Sequence, residues 1–362
     1  MTNIPSPYRV DFFNELGKLC DLTVLFETET AKDRNSAWMV DKIKNFKAVF
    51  MKGIRVGTAE AFCPEVLKYV GDQSFERIVV GMYSSPTGML AIEFMRLKKI
   101  PFILSLDGGI KKNDLGIKHK IKAHFISSAS QWLSTGKATT EYLEYYGADL
   151  NQTYVYPFTS IREKEILEKP LLHQEKKRFR EKLGMKEKKI VLSVGQFIYR
   201  KGYDILLNAC KGLDQEIGIY IVGGQATEEY IKMKENLGLT NVHFIDFKKK
   251  EELVEYYSAA DLFVLPTRED IWGLVINEAM AYGLPIITTY QCVAGLEMIQ
   301  NGVNGWLVES SAEDLNKMIK KFFNLKHLNI MQEKCLYTAK KYSIEEMTKV
   351  HWEVFTSEGG KR

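Results

Sequence analysis

A chain of 362 residues exceeds the ~250–300 at which single cores stop growing, so two domains are expected. Apolar residues at 45% and charged residues at 27% exclude a disordered, collagen-like or all-helical membrane chain. The formal charge of +4, from 50 basic and 46 acidic side chains, is too even for a protein that lives on nucleic-acid phosphates.

In chain order, short apolar runs alternate with amphipathic stretches. Leu22–Phe26, Lys47–Met51, Arg77–Val80, Phe102–Leu106 and His124–Ser127 read as strands, and Pro86–Lys98 and Ser130–Tyr146 as helices. A charge-dense stretch, Ile161–Lys189, reads as a linker running into a polar helix. Beyond it, strands are expected at Ile190–Val194, Ile217–Val222, Val242–Ile245, Leu262–Leu265 and Pro285–Thr288, each followed by a helical pattern. Ala312–Phe323, Met331–Lys340 and Ser343–Phe355 close the chain as helices. Such alternation means parallel sheets with right-handed crossovers. The expected architecture is two doubly wound α/β domains facing a cleft, residues 1–160 and 161–342, with 343–362 returning to the first. Ligands of such sheets bind where loops converge at the carboxyl ends of the strands.

No leader is visible at the start, and nowhere do ~18 apolar residues run together. Cys20, Cys63, Cys210, Cys292 and Cys335 form no C-x-x-C pair, which fits a reducing, cytoplasmic compartment better than a disulfide framework or a zinc site.

The sharpest segment runs from Thr267 to Pro285: a strand end, a polar loop with Gly273, then a helix holding Glu278. Gly273 lets backbone approach a ligand closely. The N–H groups opening the following helix, those of Leu274 and Val275, can hold a diphosphate. Glu278 can accept hydrogen bonds from a ribose diol, and Asp270 from sugar hydroxyls. A capped helix after a charged loop is the plainer alternative. A second segment, Val194 to Asp204, sets Gly195, Arg200, Lys201 and Gly202 between a strand and a helix. It can aim cations at a departing diphosphate, or be a solvated basic turn.

The first segment resembles the E-x7-E signature of retaining glycosyltransferases of family 4, which have the GT-B fold. Asp270 and Glu278 stand where the signature places its two acids, with Asp replacing the first Glu. The resemblance implies that Lys201 faces the donor diphosphate, with Arg200 supplying charge where the family often has Arg and this chain has Gln196. It further implies strand-end glycines near the nucleotide at Gly223 and Gly224, a base-reading backbone around Phe247, and a helix-start acid at Glu297. In the first half, Tyr8 and Arg9 match the family's first strand–helix loop and are candidates for the acceptor. Asp107, at a strand end before Gly108 and Gly109, is a candidate to point at the reacting sugar; an Asp in a glycine turn is the even alternative.

The implied reaction is transfer of a sugar from a nucleotide donor, UDP before GDP, to a hydroxyl of a polysaccharide or glycolipid. The anomeric configuration is kept, with no metal or other cofactor. A nucleotide-sugar epimerase of the same fold, or a silent partner subunit, are the alternatives. Basic residues gather at Lys42, Lys44, Lys47, Lys52 and Arg55, among Trp38, Phe46 and Phe50, and again at Lys111, Lys112, Lys118, Lys120 and Lys122. They read as a solvated face or as a seat on an anionic leaflet, at ~1 kcal/mol per basic group, which would place the protein on the inner face of the plasma membrane. The family opens with an apolar strand before its Asn-x-Pro loop, and only Met1 and Thr2 precede Asn3 here. An upstream natural start, or a destabilised first domain, is therefore expected, since ~4–5 aliphatics at roughly 1.5–3 kcal/mol each are at stake.

Overall fold

The computed structural model describes residues 1–30, 43–112, 114–326 and 328–357. Trp38 and Lys42 lie outside the described residues. The chain divides into two compact units, residues 1–160 with 343–362, and residues 161–342.

Unit 1 contains β1 (Thr23–Phe26), β2 (Lys47–Phe50), the short antiparallel pair β3 (Ile54–Arg55) and β4 (Ala61–Phe62), β5 (Val79–Val80), β6 (Ile103–Ser105), β7 (Gln131–Ser134) and β8 (Thr153–Val155). β1 pairs with β2, and β5-β6-β7-β8 form a second sheet, all parallel. Met1 and Thr2 touch both sheets. Thr2 N–H donates to Leu25 C=O at 2.9 Å, and the Met1 amino group donates to Val79 C=O at 2.8 Å. Helix Ile344–Thr356 packs on helix Pro7–Leu16, and His351 sits between Phe12 and Tyr156, ring centroids 4.7 and 4.6 Å away.

Two elements of unit 1 differ from expectation. His124–Ser127 is the end of a helix, Ile117–Ile126, and its following serine, not a strand. The strand is Gln131–Ser134, inside the stretch expected to be all helix, which begins only at Lys137. Gln131 and Ser134 are both fully buried, so polar residues at the strand's two ends hid it, while the half-buried Ala123 and Phe125 imitated a strand.

Unit 2 contains β9 (Lys189–Val194), β10 (Ile217–Val222), β11 (Val242–Ile245), β12 (Leu262–Leu265), β13 (Ile286–Thr289) and β14 (Gly305–Val308). They form one parallel sheet in the order β11-β10-β9-β12-β13-β14. β9 to β13 are apolar runs, and β10 is buried throughout, as expected for a sheet covered on both faces. Each of its aliphatics contributes roughly 1.5–3 kcal/mol by burial. The charged stretch before β9 is more than a tether. In helix His173–Lys182, Lys176 and Arg180 are buried and donate to the carbonyls of Ala260 and Ala259, at 2.6 and 2.8 Å, and both pair with Asp261. Their cations complement the carboxyl end of helix Lys250–Ala259.

Candidate functional site

The strand order of unit 2 reverses between β9 and β12: the chain leaves β9 for β10 and β11 on one side, then returns to β12 on the other. Loops after these two strands diverge at a topological switch point, where open parallel sheets bind ligands. They carry residues 195–202 and 266–273.

The two loops are stitched together. Thr267 Oγ1 and Arg268 N–H both donate to Arg200 C=O, at 2.9 and 2.8 Å. Arg268 forks onto Asp204 and lies over the Tyr199 ring at 4.0 Å. This fixes Lys201 so that its Nζ meets Asp270 Oδ2 at 2.6 Å, with Arg200 3.5 Å from Asp270 Oδ1. Arg200 also donates to Glu269 C=O at 2.9 Å. Lys201 and Asp270 are 12% and 10% exposed at their side chains, so their charges interact in a poorly hydrated setting.

Asp270 is held from behind as well. Its N–H donates to Gln291 C=O, and its C=O accepts from Val293 N–H, in a one-residue parallel bridge to Cys292. Gly273 follows at φ 102°, and a Cβ there would lie 2.8 Å from Cys292 Sγ, so conformation and space both require glycine. Helix Leu274–Ala281 starts at once, presenting the N–H groups of Leu274 and Val275 at its positive end. One turn further, Glu278 Oε2 accepts a 2.8 Å hydrogen bond from Tyr257 Oη. Burial, and then the Glu278 charge, push the Tyr257 phenol's pKa well above its ordinary value, so it stays a donor. Tyr257 also stacks on Tyr282 at 5.5 Å.

Gly195 and Gly223, after β9 and β10, meet backbone to backbone: a Cβ on Gly223 would lie 1.7 Å from Gly195 C=O. Phe247 is half-buried just beyond β11. Glu297 is not a helix-start acid. It lies one residue before the end of helix Val293–Met298, where its charge opposes the helix dipole.

In unit 1, Arg9 and Asp107 form an ion pair, and Tyr156 Oη donates to Leu106 C=O at 3.0 Å and to Asp107 Oδ1 at 3.4 Å. Burial pulls the Arg9 pKa down, and the Asp107 charge more than offsets it, so Arg9 holds its proton tightly. Tyr8 is half-buried beside Phe158, ring centroids 5.8 Å apart. Tyr8, Arg9 and Asp107 line one cavity of about 610 Å³.

The structure thus brings Arg200, Lys201 and Asp270 together, and Arg9 with Asp107. Tyr257, Thr267 and Cys292 were not expected from sequence. Thr267 opens the recognised segment without a role of its own there, and a tyrosine on a preceding helix and a cysteine on a later loop leave no spacing signal. Among the described residues no group of three or more His, Cys, Asp or Glu is placed to hold a metal, and no helix is long and apolar enough to cross a membrane.

Residues 175–342 match the family model described as glycosyl transferases group 1. This part of the chain belongs to that family. Among curated relatives of the group 1 domain, the lipopolysaccharide glucosyltransferase WaaG of Escherichia coli K12 is 31% identical over 150 residues, 40% of each chain. The N,N'-diacetylbacillosaminyl-diphospho-undecaprenol alpha-1,3-N-acetylgalactosaminyltransferase of Campylobacter jejuni is 25% identical over 247 residues, 65% of this chain and 64% of that one. These matches therefore span less than two thirds of the relatives' lengths. The solved structure of Anabaena HepE with UDP and glucose aligns over 98% of this chain and 99% of its own, with a TM-score of 0.74 at 16% identity. The group 1 domain is thus part of a chain with the GT-B fold.

Proposed function

We propose that the protein is a retaining glycosyltransferase that moves a sugar from a UDP-sugar to a hydroxyl of a polysaccharide or glycolipid. The observation that carries this reading is the convergence of Lys201 and Arg200 on Asp270 at the switch point of the group 1 domain. Charge grows on the diphosphate as the sugar leaves. Lys201, Arg200 and the N–H groups of Leu274 and Val275 are the donors that stabilise it. Asp270 accepts from a sugar hydroxyl while holding Lys201 in place. Glu278, oriented by Tyr257, takes the ribose diol. The leaving phosphate helps deprotonate the attacking hydroxyl on the same face, which keeps the configuration. The UDP in the HepE structure supports uracil as the base of the donor nucleotide. The lipid-diphosphate acceptor in the Campylobacter relative's name supports a lipid-linked acceptor.

A thermal-shift panel of UDP, GDP, ADP and their sugars tests the donor site. At 100 times its dissociation constant a ligand adds ~2.7 kcal/mol of stability. UDP compounds should shift the wild type and not Glu278→Ala. A folded protein that none of them shifts would sink the reading.

Membrane contact is proposed on a narrower surface than the two basic clusters. Phe46 is buried among Phe13 and Phe26, and Lys122 turns inward to Asp114 and Tyr146, at 2.9 and 3.1 Å. Ahead of and within helix Ile117–Ile126, however, Leu115 and Ile117 are 83% and 77% exposed beside the exposed Lys118 and Lys120. Apolar tips between lysines suit an anionic interface. Flotation with phosphatidylglycerol-rich vesicles should recover the wild type at low salt. Leu115→Ser/Ile117→Ser should be recovered at least ~5-fold less, the loss expected from removing two inserting side chains. Equal recovery of the two would refute the assignment.

A further inference from the structure

The chain enters unit 2 through residues 161–167, ahead of the stretch matched by the group 1 model. Ile161 and Ile166 are buried there, and Glu163–Glu165 form a single 3-10 turn. The segment is bonded to both helices that carry Tyr257 and Glu278. Glu165 pairs with Lys250, the first residue of helix Lys250–Ala259, at 2.8 Å. Its carboxylate also accepts the Arg162 N–H at 2.8 Å, so one side chain closes the turn and makes the ion pair. Two residues on, Leu167 N–H donates to Ala281 C=O at 3.0 Å, at the end of helix Leu274–Ala281. The last four carbonyls of a helix have no partner within it, and the segment supplies one from outside.

These contacts close a triangle. The segment meets the first helix at Glu165 and Lys250, the first helix meets the second at Tyr257 and Glu278, and the second meets the segment at Ala281 and Leu167. Tyr282, next in the chain after Ala281, belongs to it as well. Its ring stacks on Tyr257, and burial, then the charges of Glu165 and Glu278, push its pKa up to about 12. Glu278 and Ala281 are three residues apart, on one face of their helix and ~4.5 Å apart along its axis. A ligand that grips Glu278 therefore acts within one turn of the carbonyl that holds Leu167.

We propose that residues 162–167 are a strap of the nucleotide site, tightened when a ribose diol engages Glu278, with Glu165 and Lys250 as positioning residues. The proposal rests on the donor-site reading and extends that site to a segment outside the matched domain. A diphosphate on the first-turn N–H groups and a diol on Glu278 pin the second helix at its start and middle. Its last turn, and the strap bonded to it, then open less often. Diol hydroxyls also fix the carboxylate that Tyr257 bonds, which holds the side of the triangle between the two helices.

Amide hydrogen exchange on the full chain, with and without saturating UDP, tests the strap, and calorimetry sets saturation for each protein. In the wild type, UDP should slow Leu167 at least ~10-fold more than Leu325. The Leu325 amide donates to Phe322 C=O just past helix Ala312–Phe323 and belongs to no side of the triangle. Tyr257→Phe keeps the ring for stacking and cuts the bond to Glu278. It should reduce the excess at Leu167 to about twofold or less. Glu165→Gln can still accept the Arg162 N–H but loses the charge facing Lys250, and should cut the excess about threefold. Equal slowing of Leu167 and Leu325 in the wild type overturns the strap, and so does an excess undiminished in Tyr257→Phe. If Tyr257→Phe does not fold, an excess undiminished in Glu165→Gln overturns it equally. A chain that binds no UDP fails the donor-site reading and the strap together, whereas bound UDP with equal slowing fails the strap alone.

Discussion

Lys201→Met should lower kcat with a UDP-sugar about 100- to 1,000-fold, the loss expected when a preorganised donor to developing negative charge is removed. The ammonium sits at the switch point of the sheet, 2.6 Å from Asp270 and largely out of water. Arg200 does not replace it, because it is 3.5 Å from the other carboxylate oxygen and partly committed to Glu269 C=O. The substitution also strands a buried carboxylate, which destabilises by itself. The two effects separate in the double variant Lys201→Met/Asp270→Asn. Stability should return towards wild type, while turnover stays low. Lys201→Arg should recover part of the rate, since a guanidinium does not reproduce a compact point charge. Initial rates with saturating donor, beside chemical denaturation of each variant, make the comparison. A single variant within threefold of wild-type kcat would remove Lys201 from the chemistry.

Acid should weaken unit 1 through His351. Its ring is 3% exposed, hydrogen-bonded through Nδ1 to Met347 C=O at 2.8 Å and enclosed by Phe12, Tyr156 and Phe355. Burial lowers its pKa from 6.5 to about 4, against the hydrogen bond to Met347. The unfolded chain therefore takes up a proton near pH 6.5 that the folded chain refuses until about pH 4. Stability contributed by the neutral ring is complete above 6.5 and lost progressively between 6.5 and 4, to a total of about 3 kcal/mol. His351→Phe should flatten that part of the stability curve and leave the carboxylate-driven fall at lower pH. Urea titrations between pH 7 and 4 on both proteins measure the difference. Parallel curves through that window would mean that the histidine is not what acid attacks.

The fold class was legible because the strands of unit 2 are apolar runs bounded by glycine and proline, as at Ile217–Val222 and Leu262–Leu265. The segmentation failed where burial and polarity disagree. Gln131-Trp-Leu-Ser134 is a fully buried strand with polar ends, and the three-residue edge strand Thr153–Val155 is too short to leave a pattern. Lys201 and Asp270 could be placed near each other from sequence, since each follows a strand at the same end of a parallel sheet. That they form an ion pair could not, because it depends on β9 and β12 being neighbours despite the two strands between them in the chain. Tyr257 was beyond reach for a similar reason: its hydrogen bond to Glu278 joins two helices whose facing surfaces no single-helix periodicity reports.

The contact between Gly195 and Gly223 bears on how this protein could be re-engineered. A saturation library at position 223 should return glycine almost alone, because even the smallest side chain meets a carbonyl oxygen at 1.7 Å. That part of the site is written in main chain and carries no adjustable letters. If the proposed donor site is right, a change of donor would have to be sought in neighbouring side chains such as Phe247 and Leu274, against a fixed floor that selection cannot reshape.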